Sequence, residues 1–278
     1  MGNRVALGLS YAGHRYSGWQ SQASGNTVQD HLETALARFA ATGSARVTTL
    51  CAGRTDAGVH GLMQVVHFDA PVQRSAAAWV RGTNSFLPSD IAVQWAQAVP
   101  QNFHARASAT ARRYAYVLLQ SPVRPSVEAG RVGWVFRPLD GEAMAAAARL
   151  LEGEHDFSSF RAAACQALSP VKTLAPIRIT RRGAPVGPGN GGDRTSCYWR
   201  FEFEANAFLH HMIRNIMGGL IAVGQGSQPP EWMAEVLQAR SRTVAAPTFS
   251  PDGLYFLGPV YADSWGLPAR TAAYDWLP

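Results

Sequence analysis

Apolar residues along the chain recur at two spacings, every second residue and every third or fourth, and the switches between them mark the elements. Residues 5–11 read as a strand. Thr27 then reads as the N-cap of a helix, with Val28, Leu32, Leu36 and Phe39 on one face until Gly43 ends it. Residues 46–52 have strand character, a glycine-rich turn covers 53–61, and Val65, Val66 and Phe68 mark the next strand. A short helix over 76–81 and a strand over 91–99 follow.

The remainder repeats this style. Residues 114–119 read as a strand and 140–151 as an alanine-rich helix, while Ile177 and Ile179 fall in another strand. Residues 198–205 alternate strictly, with Phe201 and Phe203 facing one way and Arg200, Glu202 and Glu204 the other. Residues 208–223 have helical spacing, Pro230 opens a helix over 231–240, and 254–261 close with a strand. The pattern is α+β, with sheet on one side and helices on the other. Two stretches of β-α-β-β character imply halves of 1–105 and 106–278. No residue-level repeat accompanies them. Residues 183–194, rich in Gly and Pro, read as a loop.

Composition narrows the class. An apolar fraction of 47% and a charged fraction of 16% are those of a folded, soluble protein. No apolar run approaches the roughly 20 residues that span a bilayer, and the apolar patch over residues 5–9 is too short for a signal-peptide core. Ala6 stands where a myristoylation signal wants Ser or Thr. The expected location is therefore the cytoplasm, with no membrane partner. Cys51, Cys165 and Cys197 show no paired metal spacing and read as reduced structural thiols. The net charge of +6 is concentrated: residues 106–138 carry six Arg and one acid, and 157–192 five cations and no acid. Such blocks suit a polyanion, although a solvated basic face has the same composition.

The most informative segment is Cys51-Ala52-Gly53-Arg54-Thr55-Asp56-Ala57-Gly58-Val59-His60-Gly61. A strand runs into a turn bearing one carboxylate, flanked by an Arg and a His. On the residues alone this is either a β-turn whose Asp caps its own backbone or a carboxylate offered to a substrate. His60, His67, His104 and His155 suit structural or polyanion-contact roles. His210 and His211, adjacent on the expected helix, would point about 100° apart and make a poor metal pair.

Gly53 to His60 resembles the catalytic motif of the bacterial tRNA pseudouridine synthase A family. In order, Tyr16-Ser17-Gly18-Trp19-Gln20, Gln64-Val65-Val66-His67-Phe68, Phe103-His104-Ala105-Arg106 and Arg113-Tyr114-Ala115-Tyr116 match it too. So do His155-Asp156-Phe157-Ser158-Ser159-Phe160, the stretch from Asn206 to Asn215, Ala246-Pro247 and Gly253-Leu254-Tyr255. The blocks span nearly the whole chain; the loop over 183–194 departs from the pattern by its length.

The resemblance implies a pseudouridine synthase-like fold. Two similar α+β halves would have antiparallel sheets joined side by side, helices packed on them and an active-site cleft between. It implies isomerisation of uridine at positions 38, 39 and 40 in the anticodon stem-loop of tRNA, by a homodimer with one tRNA lying across both subunits. The alternatives are a synthase acting on another structured RNA and a non-catalytic RNA-binding protein of the same fold. The reaction breaks N1–C1′ and joins C5 to C1′ without net redox change or hydrolysis, so no cofactor and no metal are expected.

The same likeness makes Asp56 the catalytic carboxylate, either attacking C1′ or removing the C2′ proton. Tyr114, Arg54 and Arg214 become substrate-binding residues. A carboxylate in a dry site takes up a proton unless a cation stands nearby, and the resemblance gives that place to Arg214. It assigns Tyr114 to stacking on the extruded base, a choice between Tyr114 and Tyr116 that the strand pattern leaves open. Arg54 would help push the base out of its stack.

Overall fold

The structure is a computed structural model and describes residues 4–41, 43, 46–183 and 196–268. In chain order its elements are β1 (Arg4–Tyr11), α1 (Val28–Ala40), β2 (Leu50–Cys51), β3 (His60–Asp69), α2 (Ala76–Asn84), β4 (Ile91–Ala98), β5 (Ala109–Gln120), β6 (Gly133–Val135) and α3 (Gly141–Arg149). There follow β7 (Gly153–Asp156), β8 (Val171–Leu174), β9 (Arg178–Arg182), β10 (Cys197–Ala205), α4 (Met212–Gly224), α5 (Trp232–Ala239) and β11 (Leu254–Tyr261). The expected loop over 183–194 lies, beyond Gly183, outside the described residues. Among those described, no helix is long and apolar enough to cross a membrane.

The chain forms two compact units. The first takes the chain up to Arg112 and again from Tyr255; the second takes Arg113–Leu254. The crossing therefore falls inside β5, and the last strand returns to the first unit. A single boundary near residue 105 does not describe that path.

In the first unit the strand order is β4-β1-β3-β11, with β2 beside β3. β1 pairs antiparallel with both neighbours, Gly8 opposite Val65 on one side and Trp95 on the other. β11 runs parallel to β3, with Tyr255 opposite His60. Leu7, Leu9, Leu32, Leu36, Phe68 and Trp79 form the core beneath α1 and α2, each such side chain contributing about 1.5–3 kcal/mol on burial. α1 begins where Thr27 Oγ1 accepts the Asp30 amide at 3.2 Å, the cap that its sequence predicts.

The expected strand over 46–52 shrinks to Leu50–Cys51, and the reason is polar. The Val47 amide donates to the Glu33 carbonyl at 3.2 Å. The Thr49 amide donates to Glu33 Oε1 at 2.8 Å. Helix α1 thus takes donors that a sheet ladder would need.

In the second unit the order is β5-β10-β8-β7, with β6 running parallel to β5 and β9 beside β10. β10 alternates as predicted: Cys197, Trp199, Phe201, Phe203 and Ala205 are buried. Asp140 caps α3 by accepting the amides of Glu142 and Ala143. Helix α4 is sunk in this core along nearly its full length, with Ile216, Met217 and Leu220 inaccessible. It starts at Met212, not at 208, because His211 before it takes the left-handed conformation at φ 62°. That backbone cannot continue a right-handed helix toward its N-terminus.

Candidate active site

Asp56 lies in the first unit on the turn between β2 and β3. The Val59 amide donates to the Asp56 carbonyl at 3.2 Å, and Gly58 has φ 82°. This is the signature of a type II turn, which places a positive φ at its third residue and so selects glycine there. Asp56 is half-buried, Arg54 exposed and Thr55 buried.

The turn is fixed from several sides. Thr55 Oγ1 shares a 2.8 Å hydrogen bond with the hydroxyl of Tyr11 on β1. The Thr55 carbonyl accepts the Trp19 amide at 3.0 Å, and the Tyr16 carbonyl accepts the Gly58 amide at 3.4 Å. Gly18 packs so closely that a Cβ there would stand 2.8 Å from the Thr55 oxygen, and its φ of +94° excludes most side chains as well. Residues 16–19 are tied in turn to the start of α1, where the Val28 and Gln29 amides donate to the Gly18 and Trp19 carbonyls. Ahead of the turn, Gln64 Nε2 donates to the Gly53 carbonyl at 2.6 Å. Behind it, His60 Nδ1 accepts the Gly13 amide at 3.1 Å, and the ring stacks on Tyr255 with centroids 4.6 Å apart. His60 is therefore structural.

The surroundings are cationic. Burial pushes the Cys51 thiol up to about 11, against the opposing pull of the Arg54 and Arg106 guanidinium groups. Arg112, which the sequence reading did not single out, donates from Nε and Nη2 to the Ala52 carbonyl at 3.3 and 3.1 Å. It braces the strand entering the turn. The basic run around residue 112 was the signal available for it, but only the fold shows which carbonyl it meets.

The other candidate residues lie in the second unit. Tyr114 and Tyr116 sit two residues apart on β5. The Tyr116 hydroxyl donates to the Ser250 carbonyl at 2.9 Å, and its ring is inaccessible. Tyr114 packs edge-on against Phe208, with centroids 5.1 Å apart. Tyr116 is thus accounted for as a core residue.

Arg214 sits in the first turn of α4 and is half-buried. Its Nε donates to the Phe249 carbonyl at 2.8 Å, while its own carbonyl accepts the Phe249 amide at 3.1 Å. Asn215 beside it donates to the Phe160 carbonyl and accepts from Thr248 and Arg242. A cation at the positive end of a helix dipole is locally unfavourable by some tenths of a kcal/mol. The left-handed His211 adds about 1–2 kcal/mol. Two local conflicts within four residues are the kind of feature that functional sites retain. The rings of His210 and His211 lie 4.1 Å apart. The splayed helical geometry expected for them does not apply, since neither is inside α4.

These features define a class: an α+β protein that holds one carboxylate rigidly on a glycine-containing turn among arginines. A family model described as tRNA pseudouridine synthase matches residues 9–106 and 147–262. A tRNA pseudouridine synthase A of Paracidovorax citrulli is 74% identical over 280 residues, covering 99% of this chain and 100% of that protein. Proteins of the same name from Delftia acidovorans and Polaromonas naphthalenivorans are each 72% identical, with the same coverage of both chains. The chain belongs to the tRNA pseudouridine synthase family.

Proposed function

We propose that the protein converts uridine to pseudouridine in tRNA, at positions 38, 39 and 40 of the anticodon stem-loop, with Asp56 as the catalytic carboxylate. The observation that carries this reading is the Asp56 turn, whose backbone is fixed by Tyr11, Trp19 and Tyr16 so that the carboxylate is presented in one place. Preorganisation of this kind removes reorganisation from the reacting step.

The reaction is an isomerisation. The N1–C1′ bond breaks, the freed uracil turns, C5 bonds to C1′, C5 gives up its proton, and N1 ends protonated. An ionised carboxylate can support it by adding to C1′ or by taking the C2′ proton; both routes balance without oxidant, water or metal. Tyr114 supplies an aromatic face for the extruded base, a contact worth about 1–3 kcal/mol per base. Arg54, exposed two residues before Asp56, occupies the space the base leaves. Arg214 is the substrate-binding cation that the family likeness assigns. A homodimer working in the cytoplasm completes the proposal; it rests on the family likeness.

The test is release of tritium from tRNA transcripts labelled at uracil C5. Release confined to transcripts with uridine at 38, 39 or 40 supports the reading, and release from other uridines alone would displace it.

A further inference from the structure

Residues 121–139 of the second unit carry a surface that none of the candidate site residues uses. Strand β6 lies against β5 with Gly133 and Val135 buried, so Trp134 between them faces out. Gly133 permits this contact, since a Cβ there would stand 2.3 Å from the Tyr116 hydroxyl oxygen. The Trp134 indole donates to the Ser121 carbonyl at 2.9 Å, which fixes the ring while leaving it 36% exposed. Two residues on, Phe136 is 60% exposed and its ring centroid lies 6.3 Å from that of Trp134. Val123 and Val127 add exposed apolar surface from the same stretch. The Arg137 guanidinium sits over the Phe136 ring at 5.5 Å.

Charge chooses the partner. The acid in this stretch, Glu128, accepts a hydrogen bond from the Tyr198 hydroxyl. Arg124, Arg131 and Arg137 are all exposed, and among the described residues no ion pair engages Arg124 or Arg137. Exposed rings interleaved with arginines are what an unpaired polynucleotide binds: bases stack on the rings and phosphates meet the guanidinium groups. A two-fold contact with a second copy would bring the same patch against itself, arginine toward arginine. We propose that Trp134 and Phe136, with Arg124 and Arg137, form a platform for an unpaired stretch of RNA. The proposal rests on the tRNA reading above and adds to it a second contact surface.

Fluorescence anisotropy tests this with the full chain, a fluorescein-labelled single-stranded RNA dodecamer and an unmodified tRNA transcript. Phe136→Ala removes an exposed ring and should weaken dodecamer binding about tenfold, within the range for one stacked base. Arg124→Gln with Arg137→Gln should flatten the dependence of log Kd on log salt by about 0.7 per arginine. Binding of both RNAs within twofold of wild type in both variants would overturn the platform. So would weakened binding accompanied by a fall in sedimentation mass, which would make the patch a contact between copies. Wild-type tritium release, run in parallel, reports on the proposed function separately: its absence would sink that reading while the dodecamer still decides the platform.

Discussion

Asp56 is carried by a turn between two strands and Arg214 by the first turn of a helix entered from irregular chain, and the two stretches are held by different means. Around Asp56 the positive φ values fall on glycines, Gly18 and Gly58, and the turn is closed by backbone hydrogen bonds together with the buried Tyr11–Thr55 pair. Ahead of Arg214 the positive φ falls on His211, a residue that resists it, and the segment is held by its own side chains donating to the Phe160 and Phe249 carbonyls and by the Arg242 and Thr248 side chains donating to Asn215. The first is cheap local geometry that the sequence spells out. The second is geometry imposed by tertiary packing, and the sequence spells it out poorly.

This contrast can be broken most severely at Gly18. A Gly18→Ala change meets both an unfavourable φ and the Thr55 oxygen, so we expect a loss of about 1–3 kcal/mol and a collapse of turnover with it. Denaturant unfolding and tritium release measured together check this; a variant as stable and active as wild type would show that the turn is not held through residue 18. At His211 the opposite sign is expected. Glycine there should be more stable than alanine by about 1 kcal/mol, because the left-handed backbone costs it nothing. Equal melting midpoints for the two variants would remove the argument from strain. Tyr11→Phe should cost about 1 kcal/mol, the value of one buried hydrogen bond, and should lower turnover more than it lowers tRNA affinity.

A further effect concerns pH. His67 on β3 is buried, and burial, then the neighbouring His104 and Arg4, hold its pKa down to about 4. Its Nδ1 accepts the Ala105 amide at 3.1 Å, which requires the neutral ring. The unfolded chain takes up this proton near pH 6.5 while the folded chain resists until about 4. The stabilisation is therefore complete above 6.5 and lost as pH falls toward 4. His67→Gln should flatten the fall in stability across that window; an unchanged profile would exclude His67 as its source.

Where local rules decided the structure, the sequence was sufficient. Thr27 capped α1, β10 alternated, and β11 ran over the residues expected. Legibility failed where a distant partner decided. Glu33 drew Val47 and Thr49 away from a strand, His211 delayed the start of α4, and short strands such as β6 and β7 exist through their neighbours' edges. For the candidate site, the motif located the turn, but the bracing by Tyr11, Gln64 and Arg112 appears only once the fold brings residues 44, 11 and 60 positions apart together.

Asp56 is proposed to do the chemistry on a preorganised turn. Tritium release from C5-labelled tRNA, wild type beside Asp56→Ala, tests it most directly. Release by wild type, none by the variant, and tRNA affinity within about twofold of wild type are expected, since one half-buried carboxylate contributes little to phosphate-driven binding. Sustained release by Asp56→Ala would contradict it.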